Sequence, residues 1–176
     1  MKNLEQTIIR HKAKRSPIEI ARSIWLRHCQ SAPAVDFRDA MVAFLSSMPT
    51  TLAVTLRYET IPISIDKIRR DLHDLHAKVD RKIFGRDFHL SPTRTTYWGV
   101  IEMLDTNPHA HLGWHFPDAG DAKVLDEFLS GGLWQRRYAV GGTTDVQQHH
   151  SGWAAYSCKA LLNSDHVILS SGAMPA

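Results

Sequence analysis

Two histidines separated by a single residue, His109 and His111, follow Glu102 closely in the chain. Side chains two residues apart on a β-strand point to the same face, so both imidazoles can reach one cation. Two imidazoles and a carboxylate suit Mg²⁺, Mn²⁺ or Zn²⁺, with positions left open for water or phosphate. We therefore predict one divalent-metal site at Glu102, His109 and His111. The alternative is coincidence, because the chain contains eleven histidines.

Tyr156 and Lys159 form a second set of candidate functional residues. A helix from Ser151 to about Leu162 would have an apolar side that faces the core. That side consists of Ala154, Ala155, Cys158, Leu161 and Leu162. At about 100° per residue, Tyr156 falls nearly opposite to it, with Lys159 and Trp153 about 60° to either side. We expect Tyr156 to be a nucleophile and Lys159 to steady a phenolate or phosphate. The alternative is an exposed tyrosine with an ordinary i,i+3 neighbour.

Glu102 belongs to a stretch that is largely apolar on both faces, where an isolated carboxylate is costly unless it is paired. The turn composition of residues 105–108 predicts a hairpin. That hairpin would place Glu102 across from His109 and His111. The alternative partner for Glu102 is an arginine such as Arg57, in a buried salt bridge.

The elements that position these residues follow from periodicity. A strand over 51–59 alternates between an apolar and a polar face, and Ser64 begins a long apolar-striped helix that Gly85 ends. Strands at 93–104 and 109–116 form the hairpin. Further along we predict a helix at 121–129, irregular or weakly stranded chain at 133–150, the helix at 151–162 and a closing strand at 166–169. This order indicates an α+β fold, an antiparallel sheet with packed helices.

A short helical extension over residues 1–48 is expected to precede the main domain at 49–176. Ser16 and Pro17 begin one helix that runs to about Cys29, and Asp36 caps a second that runs to about Ser47. These helices are candidates for dimerisation or for contact with duplex DNA.

Composition and charge narrow the class of protein. The 176 residues suffice for one well-buried core. Residues 1–38 carry eight Lys/Arg against three acids and residues 64–89 carry seven against five, which is compatible with a polyanionic partner or with solvated helix faces. Two cysteines fit a reducing compartment, and no stretch is apolar enough for a signal sequence or a membrane span. We therefore expect a cytoplasmic protein without a membrane partner.

Taken in order, three motifs resemble those of the HUH endonucleases, in particular the single-tyrosine initiators of rolling-circle replication. They are the hydrophobic strand from Leu52 to Glu59, the His109-Ala110-His111 strand and the Tyr156–Lys159 helix. The resemblance covers residues from about 50 to 170, with Glu102 matching the family's acidic ligand. A glycine at 152, one turn before Tyr156, excludes a second tyrosine there.

The resemblance implies a ferredoxin-like or RRM-like sheet with the two histidines on its central strand. It further implies Mg²⁺ or Mn²⁺ on Glu102, His109 and His111, and attack by Tyr156 on single-stranded DNA at an origin or hairpin, with Lys159 as helper. The product would be a 5′-phosphotyrosine and a free 3′-hydroxyl. The absence of a Walker-type loop implies that any helicase is a separate chain.

Arg57, Trp153 and His115 are the candidate nucleic-acid contacts beside this centre. Arg57 lies on the polar face of the first strand, Trp153 neighbours Tyr156, and His115 is either a sheet-surface residue or a substrate contact. Two other functions stay open. One is a module that binds single-stranded nucleic acid without cutting it. The other is a small metal-dependent hydrolase in which Tyr156 has no part.

Overall fold

Five strands form one antiparallel sheet in a computed structural model that describes residues 37–59, 61–91, 93–161 and 164–170. The strands are β1 (Leu52–Arg57), β2 (Thr96–Glu102), β3 (His109–His115), β4 (Thr144–Gln148) and β5 (Val167–Leu169). Their order across the sheet is β4-β1-β3-β2-β5, which makes β3 the central strand. The predicted α+β class with an antiparallel sheet is therefore confirmed.

Helices cover both faces of this sheet. They are α1 (Phe37–Ser46), α2 (Ile65–Phe84), α3 (Ala122–Ser130), α4 (Leu133–Arg137) and α5 (Trp153–Ser157). None of the helices in the described part of the chain is long and apolar enough to cross a bilayer. The helix predicted to begin at Pro17, and with it most of the N-terminal extension, lies outside the described residues.

The first face of the sheet carries the larger core, beneath α2. Alternation along β1 directs Leu52, Val54 and Leu56 to this face, where Leu72 of α2 packs against them. The helix begins as predicted: Ser64 accepts a hydrogen bond from the Lys67 backbone N–H at 3.2 Å. Helices α3 and α4 extend the same layer.

Among the described residues, α1 and α5 pack on the second face. Leu45 of α1 and Ala154 of α5 pack on Trp98 and Ala53 of the sheet. Helix α1, which the sequence assigns to the N-terminal extension, is thus part of the packing on the sheet. Farther along the same face lie Glu102 and the two histidines, because residues paired across strands share a face.

The last helix, α5, is shorter than predicted and ends at Ser157 instead of about Leu162. The turn that follows makes tertiary hydrogen bonds: the Lys159 ammonium and the Ala160 backbone N–H both donate to Glu102. Those bonds replace the next helical turn.

Helix α4 falls within a region that was predicted to be irregular or weakly stranded. The strand part of that prediction is confirmed by β4. The helix was missed because it has only five residues and is held by a tertiary contact. Trp134 is buried against Tyr58 and donates its indole N–H to the Arg57 carbonyl at 2.9 Å.

Gly113 on β3 leaves the space that Trp98 fills on the second face. A Cβ at residue 113 would lie 2.2 Å from the Cε2 atom of Trp98. The indole is fixed by burial and by a 3.0 Å hydrogen bond from its Nε1 to the Thr50 hydroxyl. A side chain at residue 113 therefore displaces a rigid ring.

We predict that Gly113→Ala lowers the free energy of unfolding by about 2–3 kcal/mol, because overpacking forces the Trp98 indole out of its place. Urea denaturation followed by far-UV circular dichroism measures this. Gly152→Ala is the control, since its added Cβ would meet only the ring of His150, with Nδ1 at an ordinary 3.5 Å and Cε1 at 3.7 Å. Equal free energies of unfolding for the two variants would show that Trp98 does not exclude a side chain at residue 113.

Candidate metal centre and its tyrosine

Glu102, His109 and His111 meet on one face of the β2–β3 hairpin. Glu102 pairs directly with His109 across the two strands, and His111 lies two residues along β3 on the same face. All three side chains are buried. The sequence-based hairpin therefore brings the three predicted ligands together.

The turn between the strands fixes the ring of His109. Met103 begins the reversal in the left-handed region, with φ 55°, and its carbonyl accepts hydrogen bonds from the Thr106 and Asn107 N–H groups. The carbonyl of Asn107 lies 2.6 Å from His109 Nδ1. Because a carbonyl only accepts, Nδ1 carries the proton, and Nε2 is the nitrogen that faces Glu102 Oε2 at 3.2 Å.

The ring of His111 is fixed from the neighbouring strand β1. Its Nδ1 lies 3.1 Å from the Thr55 hydroxyl, and its Nε2 lies 3.2 Å from the Lys159 ammonium. An ammonium only donates, so Nε2 accepts and the ring proton lies on Nδ1. Burial lowers the pKa of His111, and the Lys159 charge adds to this shift against the opposing effect of Glu102. A neutral imidazole is thus favoured.

These contacts fit a metal-binding group. Glu102 and each histidine offer ligand atoms that lie within 4.8 Å of one another. In both histidines Nδ1 is engaged elsewhere, which leaves Nε2 aimed at the shared point. Metal-ligating histidines have this arrangement, in which the outer hydrogen bond sets the tautomer and the ring orientation. The group can therefore bind a metal ion.

Glu102 is also the ion-pair partner of Lys159. Its Oε2 lies 2.8 Å from the Lys159 ammonium, and its Oε1 accepts from the Ala160 backbone N–H at 3.3 Å. Burial raises the pKa of Glu102, but the side chains of His109, His111 and Lys159 outweigh it and hold that pKa well below its usual range. The carboxylate is therefore charged. The alternative pairing with Arg57 is wrong, since the cation bound to Glu102 is Lys159.

Tyr156 stands at the rim of this group. Its ring centroid lies 5.1 Å from that of His111, its plane stacks on Trp153, and the Lys159 ammonium lies 4.1 Å from its centroid. Half of the residue is exposed, at 50%. Within the described residues its hydroxyl has no hydrogen-bond partner. The ring is held by aromatic and cation–π contacts, while the hydroxyl has no hydrogen-bond partner among the described residues.

The three predicted nucleic-acid contacts lie in different surroundings. Arg57 is exposed and pairs in register with His109. It therefore borders Glu102, His109 and His111, which together are called the metal group. Trp153 is only 6% exposed and donates its Nε1–H to the Leu112 carbonyl at 2.9 Å, which leaves it little surface for a ligand. It positions Tyr156 and His111 instead. His115 is on the same face, about 13 Å along the strand from His111; its role stays a prediction.

Thr55 and the Asn107 carbonyl were missed in the sequence. Thr55 could have been identified from the sequence, because it lies on the same polar face of β1 as Arg57. The Asn107 contribution comes from the main chain and has no signature in residue type. Searches of protein-family models, curated proteins and solved structures gave no significant match to this chain.

A divalent cation bound to this group would compete with Lys159 for the Oε2 atom of Glu102. We predict that Lys159→Ala raises Mn²⁺ affinity about three- to tenfold, the effect of removing a partly exposed competing charge worth about 1 kcal/mol. His109→Ala or His111→Ala should lower the affinity by more than about 100-fold, beyond the range typical of outer-shell changes. Isothermal titration calorimetry measures both. His115→Ala, on the same strand and face, is the control and should change nothing. Weaker Mn²⁺ binding by Lys159→Ala would contradict competition.

Thr55 should act through His111. Thr55→Val keeps the shape of the side chain but removes the oxygen that orients the imidazole, so we expect Mn²⁺ affinity to fall about 10–100-fold. Thr55→Ser restores a hydroxyl and should restore most of the affinity. Equal affinities for the valine and serine variants would show that the hydroxyl does not position His111.

Proposed function

We propose that this chain is a metal-dependent endonuclease and strand transferase that cuts single-stranded DNA, with Tyr156 as nucleophile. The observation that supports it is the position of Tyr156. Its half-exposed ring lies 5.1 Å from His111, within a group that can bind a metal ion, and its hydroxyl is not engaged by any described residue. The motif order of the HUH endonucleases supports the same reading.

In this proposal Glu102 Oε2 and the Nε2 atoms of His109 and His111 hold Mg²⁺ or Mn²⁺. The ion, when bound, neutralises charge on the scissile phosphate. Lys159 is 42% exposed at its side chain, so its ammonium is able to leave Glu102 and turn to the phosphate. The exposed Arg57, beside His109, supplies a further contact to the DNA backbone.

The bond changes of the proposed step balance without a co-reactant. The Tyr156 oxygen gives up its proton and bonds to phosphorus. The bond between phosphorus and the 3′ oxygen breaks, and the departing 3′ oxygen takes up a proton. The strand then ends in a 3′-hydroxyl, and its other part is joined to the protein as a 5′-phosphotyrosine. Reversal of this step with another 3′-hydroxyl rejoins the strand. Such chemistry would initiate rolling-circle-type replication or transposition at an origin or hairpin, with a separate helicase.

A second candidate function is a non-catalytic module that binds single-stranded nucleic acid. The observation that favours it is the ion pair between Lys159 and Glu102, because this pair neutralises the buried carboxylate without any metal. A metal-dependent hydrolase that uses water in place of Tyr156 is the third. Covalent attachment of DNA to the protein separates the first function from the other two.

We predict that the parent protein, incubated with Mn²⁺ and a pool of single-stranded oligonucleotides, forms a DNA adduct that survives a denaturing gel. Tyr156→Phe removes only the hydroxyl and should abolish both the adduct and cleavage. Tyr138→Phe is the matched control. It also removes one hydroxyl, but that hydroxyl donates to Asp74 among the residues that pack on the first face. It should leave the adduct unchanged.

Other outcomes of the same experiment would favour the hydrolase or the binding module. Cleavage by Tyr156→Phe at the parental rate would mean that water is the nucleophile, as in the hydrolase. Tight DNA binding without cleavage by either protein would favour the binding module. Lys159→Ala should slow cleavage about 10²–10³-fold, as loss of a catalytic hydrogen-bond donor does, while metal binding persists.

A further inference from the structure

A cavity of about 500 Å³ opens on the side of the molecule away from the metal group. Its lining includes Lys78, Arg81 and Lys82 from the C-terminal half of α2, and Arg136 of α4. Because α2 covers the first face of the sheet, the predicted basic surface at 64–89 does not border Tyr156. Three of its basic residues line this cavity instead.

The charges of the cavity are only partly neutralised. Lys78 is paired with Asp74 at 2.9 Å, whereas Arg136 donates to the Gly131 carbonyl and keeps its charge. Lys82 has no ion pair within the described part of the chain. Glu127 is the one acidic residue among those that line the cavity. The cavity is therefore electropositive, and an anion is the ligand that this charge favours.

Two apolar side chains also line the cavity. Phe128 and Leu133 line it, and both are partly buried against the main core. Arg81 also lies 5.7 Å from the ring of Phe88, outside the cavity lining. The volume exceeds what a bare phosphate needs and lies within the range of small-molecule sites. Cations beside apolar side chains match a ligand with a charged group and a planar or apolar body.

We infer that this cavity binds a nucleotide phosphate, either as a free mononucleotide or as one unit of a strand. Arg81, Lys82 and Arg136 receive the phosphate, and Phe128 with Leu133 receives the sugar and base. Planar guanidinium groups suit phosphate oxygens, which they bind through paired hydrogen bonds. The inference does not depend on cleavage by Tyr156, because the cavity and the metal group lie on opposite sides of the sheet.

The test uses the full chain in EDTA, so that no metal-dependent binding at Glu102 contributes. The probe is a fluorescently labelled deoxynucleotide monophosphate, followed by anisotropy. Arg81→Gln/Lys82→Gln should weaken its binding at least tenfold. Arg69→Gln/Arg70→Gln is the matched control, since it removes the same charge from the same helix about three turns earlier. That control should change affinity less than twofold, and circular dichroism confirms that both variants are folded.

Competition identifies the ligand. Unlabelled dTMP should displace the probe, and inorganic phosphate should need at least tenfold higher concentration, because it cannot contact Phe128 or Leu133. An eight-residue thymidine oligonucleotide that competes more than tenfold better than dTMP identifies a strand, with a salt dependence of about 0.7 log units per phosphate contacted. Equal competition identifies a free nucleotide. Unchanged binding by Arg81→Gln/Lys82→Gln, no binding by the parent, or phosphate that competes as well as dTMP overturns the inference.

Discussion

The buried carboxylate of Glu102 is the constraint on which the rest of this face depends. A charge without solvent is tolerated only when donors and cations surround it. Here both come from the turn that follows α5, which supplies the Lys159 ammonium and the Ala160 N–H, while the histidines of β3 lie against the same carboxylate. A slip of one residue between β2 and β3 would turn Glu102 to the face that α2 covers, so the carboxylate and the register specify each other.

The same carboxylate makes the centre compatible with two cations. The Lys159 ammonium satisfies Glu102 as the structure stands, so the fold does not need a metal to neutralise the buried charge. His109 and His111 are nevertheless oriented by Asn107 and Thr55, which point both Nε2 atoms at the carboxylate. An ion pair alone needs no such arrangement. The outer hydrogen bonds are therefore the structural argument for a metal-binding group, and a metal ion that binds there would have to displace the ammonium from Glu102.

Sequence alone predicts much of this fold because alternation and capping are local signals. The strands, the long helix from Ser64 and the convergence of Glu102 with the histidines follow from them. The burial of the Trp153 side chain does not follow from such local signals. Rotation by 100° per residue assumes a continuous helix, and α5 has only five residues. In so short a helix, packing decides the direction of each side chain, and the Leu112 carbonyl draws the indole inward. The HUH fold itself goes beyond the α+β class and remains part of the proposal.

The way Tyr156 is held bears on what it can do. Trp153 stacks on one side of the ring, and His111 and Lys159 contact it as well, all through the π system or the edge. Aromatic contacts of this kind contribute about 0.5–1.5 kcal/mol each and restrict the tilt of a ring without engaging its hydroxyl. A structural tyrosine with a satisfied hydroxyl would have to break a hydrogen bond before reacting, as Tyr58 would with Asp71. Tyr156 is oriented without that cost, which supports the proposed role of its hydroxyl.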